Sequence, residues 1–399
     1  MENIKENLSS PVRYKFGCFV AGGGFAGISA ALAAARGGAD VLLCEKEFIL
    51  GGLGTAGIVT YYLPLCDGNG TQVSFGIAEE LLKLSIKYGA EADFPDAWLG
   101  ENRNIEKRKE QRYRVRYNPG MFALLAEKLL TDAGVKILYG TSVCAVAKDG
   151  DRITHVLIEN KSGRSAVEVE KCVIDCTGDA DVAEMSGAKT EIFKMGNSLA
   201  AWNYTYSDSE KVRLNVIGCS DSAEDIESGK STTALVDRRY TGLDGMENSK
   251  MTITAHSFIL RDILKRKQSD FSTMPVTLPT IPQIRMTRRI CGVYTMCDKE
   301  IGKTFDDSVG MFSDWRKRGP VYEMPFSSLY GKEVKNLICA GRCVSSDDNM
   351  WDITRVIPVC AVSGEAAGTA AAIISDSFEN ADIKELQKRL VSAGVKLHA

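Results

Sequence analysis

The first patterned stretch of the chain is a short apolar run, residues 16–21, that stops at three glycines, Gly22, Gly23 and Gly24. An alanine-rich segment follows over 25–36 and ends at Gly37-Gly38, the usual closure of a helix by glycine. Residues 41–44 form a second apolar run, closed by Glu45. Short apolar runs between glycine turns predict buried strands, so 16–45 reads as strand, turn, helix, strand. Periodicity next predicts an amphipathic helix over 75–89, a polar, charged excursion over 90–118, and a helix over 119–132 with proline in its first turn. Residues 135–139, 142–148, 153–159 and 166–175 alternate or run apolar between Gly and Asp turns and predict strands.

The texture changes over 200–318, which carries more Thr, Ser, Met and charge and no alanine-rich helix; a helix over 256–267 begins at His256. After Pro320 the earlier pattern returns, with a buried strand over 334–340, a polar loop over 341–355, a small-residue helix over 359–375 and an amphipathic surface helix over 383–392. The organisation expected is a first domain in two pieces, 14–199 (with an excursion at about 58–118) and 319–399. A substrate-side domain at 200–318 lies between them.

A length of 399 residues suits about two domains, and 44% hydrophobic with 25% charged residues is ordinary for a globular chain. The net charge of −3 gives no reason to expect nucleic acid as a partner, and acids flank the basic runs at 107–109 and 112–116. Of the twelve cysteines, Cys18, Cys44, Cys172, Cys176, Cys339 and Cys360 sit in or beside apolar runs, where free thiols behave as small hydrophobes. No Cys-x-x-Cys pair signals a zinc site or a redox dithiol. The first eleven residues are polar and no run approaches bilayer length, so a cytoplasmic, reduced protein without a membrane is expected.

Gly22-x-Gly24-x-x-Gly27 follows a strand directly and opens a helix. In that context the first glycine permits the tight turn, the second lets backbone approach a pyrophosphate, and the third lets helix and strand pack closely. Unpaired N–H groups and the dipole at the helix start stabilise phosphate. Glu45, eighteen residues beyond Gly27, suits the hydroxyls of an adenosine ribose and repels a 2′-phosphate. Gly52-x-Gly54-x-x-Gly57 matches the same spacing but begins seven residues after Glu45, leaving no room for a second nucleotide fold. Either NAD or FAD fits this unit alone.

Further blocks carry a resemblance: Glu45-Lys46 with Gly51-Gly52-Leu53-Gly54-Thr55-Ala56-Gly57, 173–181 with Thr177-Gly178-Asp179 after its strand, and Arg285-Met286-Thr287-Arg288-Arg289-Ile290. Others are Met324-Pro325-Phe326, Ala340-Gly341-Arg342, Arg355-Val356-Ile357-Pro358 and 364–372. In this order they resemble the FAD-dependent oxidoreductase family of the glutathione-reductase structural superfamily, related to fumarate-reductase-type flavoproteins. The resemblance implies an α/β fold: a Rossmann-like FAD-binding domain of glutathione-reductase type, discontinuous in sequence, with an inserted mixed α+β substrate domain. It implies FAD contacts at Gly22, Gly24, Phe25, Ala26, Gly27, Glu45 and Lys46. Further contacts follow at Gly52, Leu53, Gly54, Thr55, Val143, Thr177, Gly178, Asp179, Gly341 and Arg342. A helix starting near Gly364, with Ala366 and Ala367, would aim its N-terminal dipole at the flavin pyrimidine; close packing of small residues is the alternative.

The expected reaction moves a hydride between a small polar substrate and noncovalent FAD, since no histidine lies near 51–66 to attach a flavin. The three histidines, His155, His256 and His398, offer no evident acid or base. The candidate catalytic set is therefore Arg288, Arg342, Arg355, Asp348 and Tyr62. Arg288, like its neighbours Arg285 and Arg289, suits either a substrate anion or a structural carboxylate. Asp347 and Asp348 stand where many relatives carry a histidine, and Tyr62 suits either substrate contact or packing. No metal cluster is signalled. Two other readings stay open: a dehydrogenase subunit passing electrons to a partner protein, and a flavin-binding protein without turnover. A homo-oligomer is compatible with each.

Overall fold

A computed structural model describes residues 7–101, 104–218 and 235–399. β1 (Val12–Ala21), α1 (Phe25–Arg36) and β2 (Val41–Cys44) form the expected strand–turn–helix–strand unit. β1 lies inside a seven-stranded sheet, parallel to β2 on one side and to strand Gly163–Asp175 on the other. Lys136–Leu138 extends the sheet parallel to β2. The long strand Gly163–Asp175 is shared along its length. Its first half pairs antiparallel with Arg152–Asn160, and its last residues pair parallel with Leu337–Cys339 from the far end of the chain. The parallel strands therefore end together at Ala21, Cys44, Asp175 and Cys339. Loops leaving one carboxyl edge of such a sheet are where α/β folds build ligand sites.

Helix Ile357–Ile373 packs directly on α1. A Cβ at Gly364 would stand 2.3 Å from the Ala26 carbonyl oxygen, and one at Gly368 2.1 Å from that of Ala30. The two helices thus meet backbone to backbone, which requires glycine at both positions. This contact joins residues 25–36 to 357–373 and makes one body of the two sequence pieces.

The charged stretch at 90–118 is less of an excursion than its polarity suggests. Trp98, Tyr113, Val115 and Tyr117 are buried in the main core beside Tyr62, Leu81 and Phe122. A hairpin, Ser308–Ser313 with Val321–Pro325, crosses the expected boundary at 318/319 and sends Val309, Phe312, Tyr322 and Met324 into that same core. Between these pieces, helix Gly245–Lys267 packs Met251, Ala255, Ile259 and Ile263 on Leu199, Ala201, Tyr240 and Ile284. Beside it stand the antiparallel strands Asn203–Ser207, Lys211–Asn215 and Met274–Thr277. That helix starts eleven residues before His256, because Asp244 caps it by accepting the Glu247 N–H at 2.7 Å. Among the described residues, no single helix is long and apolar enough to cross a membrane.

Glu365 is buried between helices Ile357–Ile373 and Ile77–Ser85, where Oε2 accepts the Ile77 N–H at 2.8 Å. Burial pushes its pKa up to about 8, opposed by that N–H and by Arg36. The folded state therefore holds a proton that the unfolded chain releases near its ordinary value of about 4.3. Stability contributed by this group is complete below that value and is lost as pH rises toward 8. Glu365→Gln keeps the acceptor for Ile77 and removes the titration. Thermal unfolding at about pH 5 and about pH 8 should show a smaller fall in midpoint for the variant than for the wild type.

Candidate functional site at the carboxyl edge of the sheet

A cavity of about 320 Å³ opens at the carboxyl edge of the parallel strands. Gly22, Gly24, Phe25 and Ala26 line it from the first turn and α1. Gly22 has φ +96°, a conformation suited to glycine, and a Cβ there would stand 2.5 Å from the Cys176 carbonyl. At Gly24 a Cβ would meet nothing within 4 Å, because the position faces open space. The first N–H groups of a helix lack intrahelical acceptors, so this turn presents donors where anionic oxygen fits.

Glu45 and Lys46 line the next stretch. The Glu45 carboxylate is buried and accepts the Gly23 N–H at 2.7 Å and the Glu47 N–H at 2.9 Å. Burial raises its pKa, and the two N–H bonds oppose the rise. Each carboxylate oxygen keeps a second acceptor site for a hydroxyl. Gly52, Leu53, Gly54 and Val143 continue the lining. Thr177, Gly178 and Asp179 enter through a turn held by buried Asp175, which accepts the Thr177 N–H and hydroxyl and the Ala183 N–H.

Arg342 lines the cavity beside Gly341, but its guanidinium is engaged. Nη1 donates to the carbonyls of Ile284 and Arg285 at 3.2 and 2.9 Å, and Nη2 contacts Asp179 at 3.3 Å. It thus ties the 284–285 segment to the Thr177–Asp179 turn. Arg355 lines the cavity with Ile357 and Cys360. Its Nε donates to Asp352 at 2.9 Å and its guanidinium lies 5.7 Å from the Trp315 ring. Asp352 is 1% exposed and also faces Arg316 at 3.7 Å, which pairs with buried Asp314.

The model of the family described as FAD dependent oxidoreductase matches this sequence over residues 18–201 and 192–390. The chain belongs to the FAD dependent oxidoreductase family. No functionally curated protein matches the sequence. Solved structures with similarity include a geranylgeranyl bacteriochlorophyll reductase-like protein from Thermoplasma acidophilum, 15% identical, covering 95% of this chain and 83% of its own, TM-score 0.46. The p-nitrophenol 4-monooxygenase PnpA from Pseudomonas putida DLL-E4 is 14% identical, covering 95% and 84%, TM-score 0.47. A 3-ketosteroid-delta4-(5alpha)-dehydrogenase from Rhodococcus jostii RHA1 is 13% identical, covering 91% and 100%, TM-score 0.39.

As a member of this family the protein is an FAD flavoprotein, and its residues fit the cofactor. The open face of Gly24 and the donors of α1 suit a pyrophosphate, and Glu45 retains acceptors for ribose hydroxyls. The family's expected contacts do not all reach the cavity. Gly27 lies behind it, where a Cβ would stand 1.8 Å from the Gly22 carbonyl oxygen. Thr55 turns inward and donates its hydroxyl to the Leu50 carbonyl, closing the 50–55 turn. Gly364, Ala366 and Ala367 sit in the second and third turns of their helix, buried in the main body of the fold, with Gly364 against α1. The helix starts at Ile357, so its first turn, with Ile357 and Cys360, is the part that lines the cavity.

Three candidate catalytic side chains also stand away from the cavity. Tyr62 is fully buried, donates to the Ala78 carbonyl at 2.6 Å and packs on Phe25 and Tyr117. Arg288 faces Asp181 and Glu184 at 3.9 and 3.8 Å. Asp348 belongs to the first turn of helix Asp348–Thr354, and burial raises its pKa against the pull of Arg289 and Lys194. Conversely, the lining includes residues the sequence did not single out: Asp181, Gly242, Asn248, Ile281, Pro282 and Ile284. Asp181 is pushed up to about 6 by burial and by Asp179 and Asp175, against Arg288 and Lys46. Cys297, Asp298 and Asp347 place ligand atoms within 4.8 Å of one another, although Asp347 is already capping helix Asp348–Thr354.

The open face of Gly24 gives a sharp test. Its φ of −68° accepts any residue, so Gly24→Val should fold with an unfolding midpoint close to that of the wild type. If the pyrophosphate lies against Gly24, as the open face suits, the added side chain would displace it. FAD affinity, read by fluorescence titration, should fall by at least about 100-fold, equivalent to ~2.7 kcal/mol.

Proposed function

We propose that this flavoprotein transfers a hydride between a small polar metabolite and noncovalently held FAD, with a fixed cation at Arg355 orienting the substrate. The observation that supports this most is the pair of Arg355, on the cavity wall, and Asp352, buried behind it. When bound, FAD supplies the centre that takes up or gives back the electron pair. The chain's own contribution is binding, orientation and exclusion of water.

Asp352 holds the Arg355 guanidinium so that little reorganisation accompanies binding of an anionic group. Ile281, Pro282 and Ile284 line the cavity from the 200–318 segment with apolar surface. Excluding water on that side strengthens every electrostatic contact within. On this reading 14–199 with 319–399 carries the cofactor and 200–318 faces the substrate.

Cys360 stands next to Arg355 on the same wall, and burial pushes its thiol up to about 12. It therefore holds its proton on Sγ at neutral pH, a weak nucleophile and no base. Cys44 and Cys176, which also line the cavity, are raised by burial in the same way. None of the described histidines lines the cavity. These features support noncovalent binding.

The test is an anaerobic screen of metabolites against the FAD-loaded protein, following bleaching of the flavin absorbance. With a substrate found, Arg355→Lys should lower kcat/KM about 10- to 100-fold, the effect of losing a charge-assisted, bidentate contact, with flavin content retained. Lysine keeps a cation beside buried Asp352, whereas alanine would leave that carboxylate with only Arg316 at 3.7 Å and destabilise the fold by about 1–3 kcal/mol. Unchanged kcat/KM in Arg355→Lys would remove Arg355 from the substrate site.

A further inference from the structure

We infer that Asn248, on the inserted segment, is a cofactor-binding residue whose side-chain oxygen accepts a hydrogen bond from an N–H or O–H of FAD. The inference rests on FAD occupying the cavity and adds a contact from a part of the chain that carries no nucleotide-binding motif.

Asn248 lies in the first turns of helix Gly245–Lys267 and lines the cavity alongside Gly242 and Ile284. Its amide orientation is fixed on one side: Nδ2 donates to the Gly242 carbonyl at 3.0 Å. That carbonyl is itself held in place. The Gly242 N–H donates to Glu247 at 3.2 Å, and a Cβ at Gly242 would stand 2.7 Å from side-chain atoms of Ile284 and Thr287. With Nδ2 committed, the other end of the amide must be Oδ1. This oxygen is buried and has no hydrogen-bond partner among the described residues.

An acceptor buried without a partner is unfavourable, and a ligand that brings a donor removes the penalty. Phosphate oxygens bring no donor. The hydroxyls of ribose and ribityl, the adenine amine and the flavin N–H do. The surroundings are already arranged around this wall of the cavity. Thr287 donates to Asp179 at 2.7 Å, and Arg342 joins Asp179 to the carbonyls of residues 284 and 285. Asn248 thus lets the inserted segment sense the cofactor through one bond, and FAD in turn fixes the segment that covers it.

The test compares wild type, Asn248→Ala, Asn248→Leu and the neighbouring control Ser249→Ala, whose exposed hydroxyl bonds the Gly245 carbonyl within the helix. FAD and ADP affinities are read by fluorescence titration and competition, and folding by circular dichroism of the apoproteins. Both Asn248 variants should bind FAD about five- to tenfold more weakly, the effect of one neutral hydrogen bond, with apoprotein spectra unchanged and the control equal to wild type. ADP weakened in parallel places the bond on the adenosine half, and ADP unaffected places it on the flavin and ribityl half; either supports the inference. Wild-type FAD affinity in both folded variants overturns it. A wild-type protein that binds no FAD overturns the cofactor reading as well, which separates the two failures. If one variant does not fold, the other decides.

Discussion

The backbone contact between α1 and helix Ile357–Ile373 is the constraint on which the rest of the structure depends. Gly364 over the Ala26 carbonyl and Gly368 over the Ala30 carbonyl leave no room for a side chain between the helices. Residues more than three hundred positions apart are thereby locked at one distance, and strand Leu337–Cys339 is held beside Gly163–Asp175. Only then do the loops after Ala21, Cys44, Asp175 and Cys339 converge on one edge. The cavity is a consequence of that packing, and its lining joins segments as far apart as residues 21–54 and 340–360. Overpacking such a contact by a single methyl typically costs about 1–3 kcal/mol, so the arrangement leaves little room for drift.

Three charged side chains at the cavity, those of Glu45, Arg342 and Arg355, already have partners. Glu45 accepts two backbone N–H groups, Arg342 donates to two carbonyls and meets Asp179, and Arg355 is held by Asp352. The start of α1 adds backbone N–H groups without intrahelical acceptors, which suit a phosphate. Oriented donors of this kind hold their geometry before the ligand arrives, which limits the ordering that binding requires.

Much of the cofactor side was legible in the sequence, because it is built from backbone conformation. Gly22, Gly24, Glu45, Thr177-Gly178-Asp179 and Gly341 sit at strand ends, and the order of strands and turns is written in apolar runs and glycines. Side-chain destinations were not legible in the same way. Tyr62, Arg288 and Asp348 lie near cavity residues in sequence, yet their partners, Ala78, Glu184 and Arg289, are set by tertiary packing that no local pattern encodes. The small residues at 364–372 lie in the interior of the last core helix and do not mark its start. Pro358, in the first turn, was the signal that the helix begins at Ile357. Likewise Asp244 and Glu247 marked the true start of the inserted helix, three residues apart in a capping arrangement. Asn248, Ile281 and Pro282 had no signal at all, since their presence at the cavity follows from how the inserted segment folds back.

The central claim, that this cavity holds FAD, is most directly tested by the visible absorbance of the purified protein after incubation with FAD and removal of unbound ligand. A flavin spectrum that remains with the protein at one FAD per chain is the predicted result. A colourless protein that cannot be reconstituted would contradict the account.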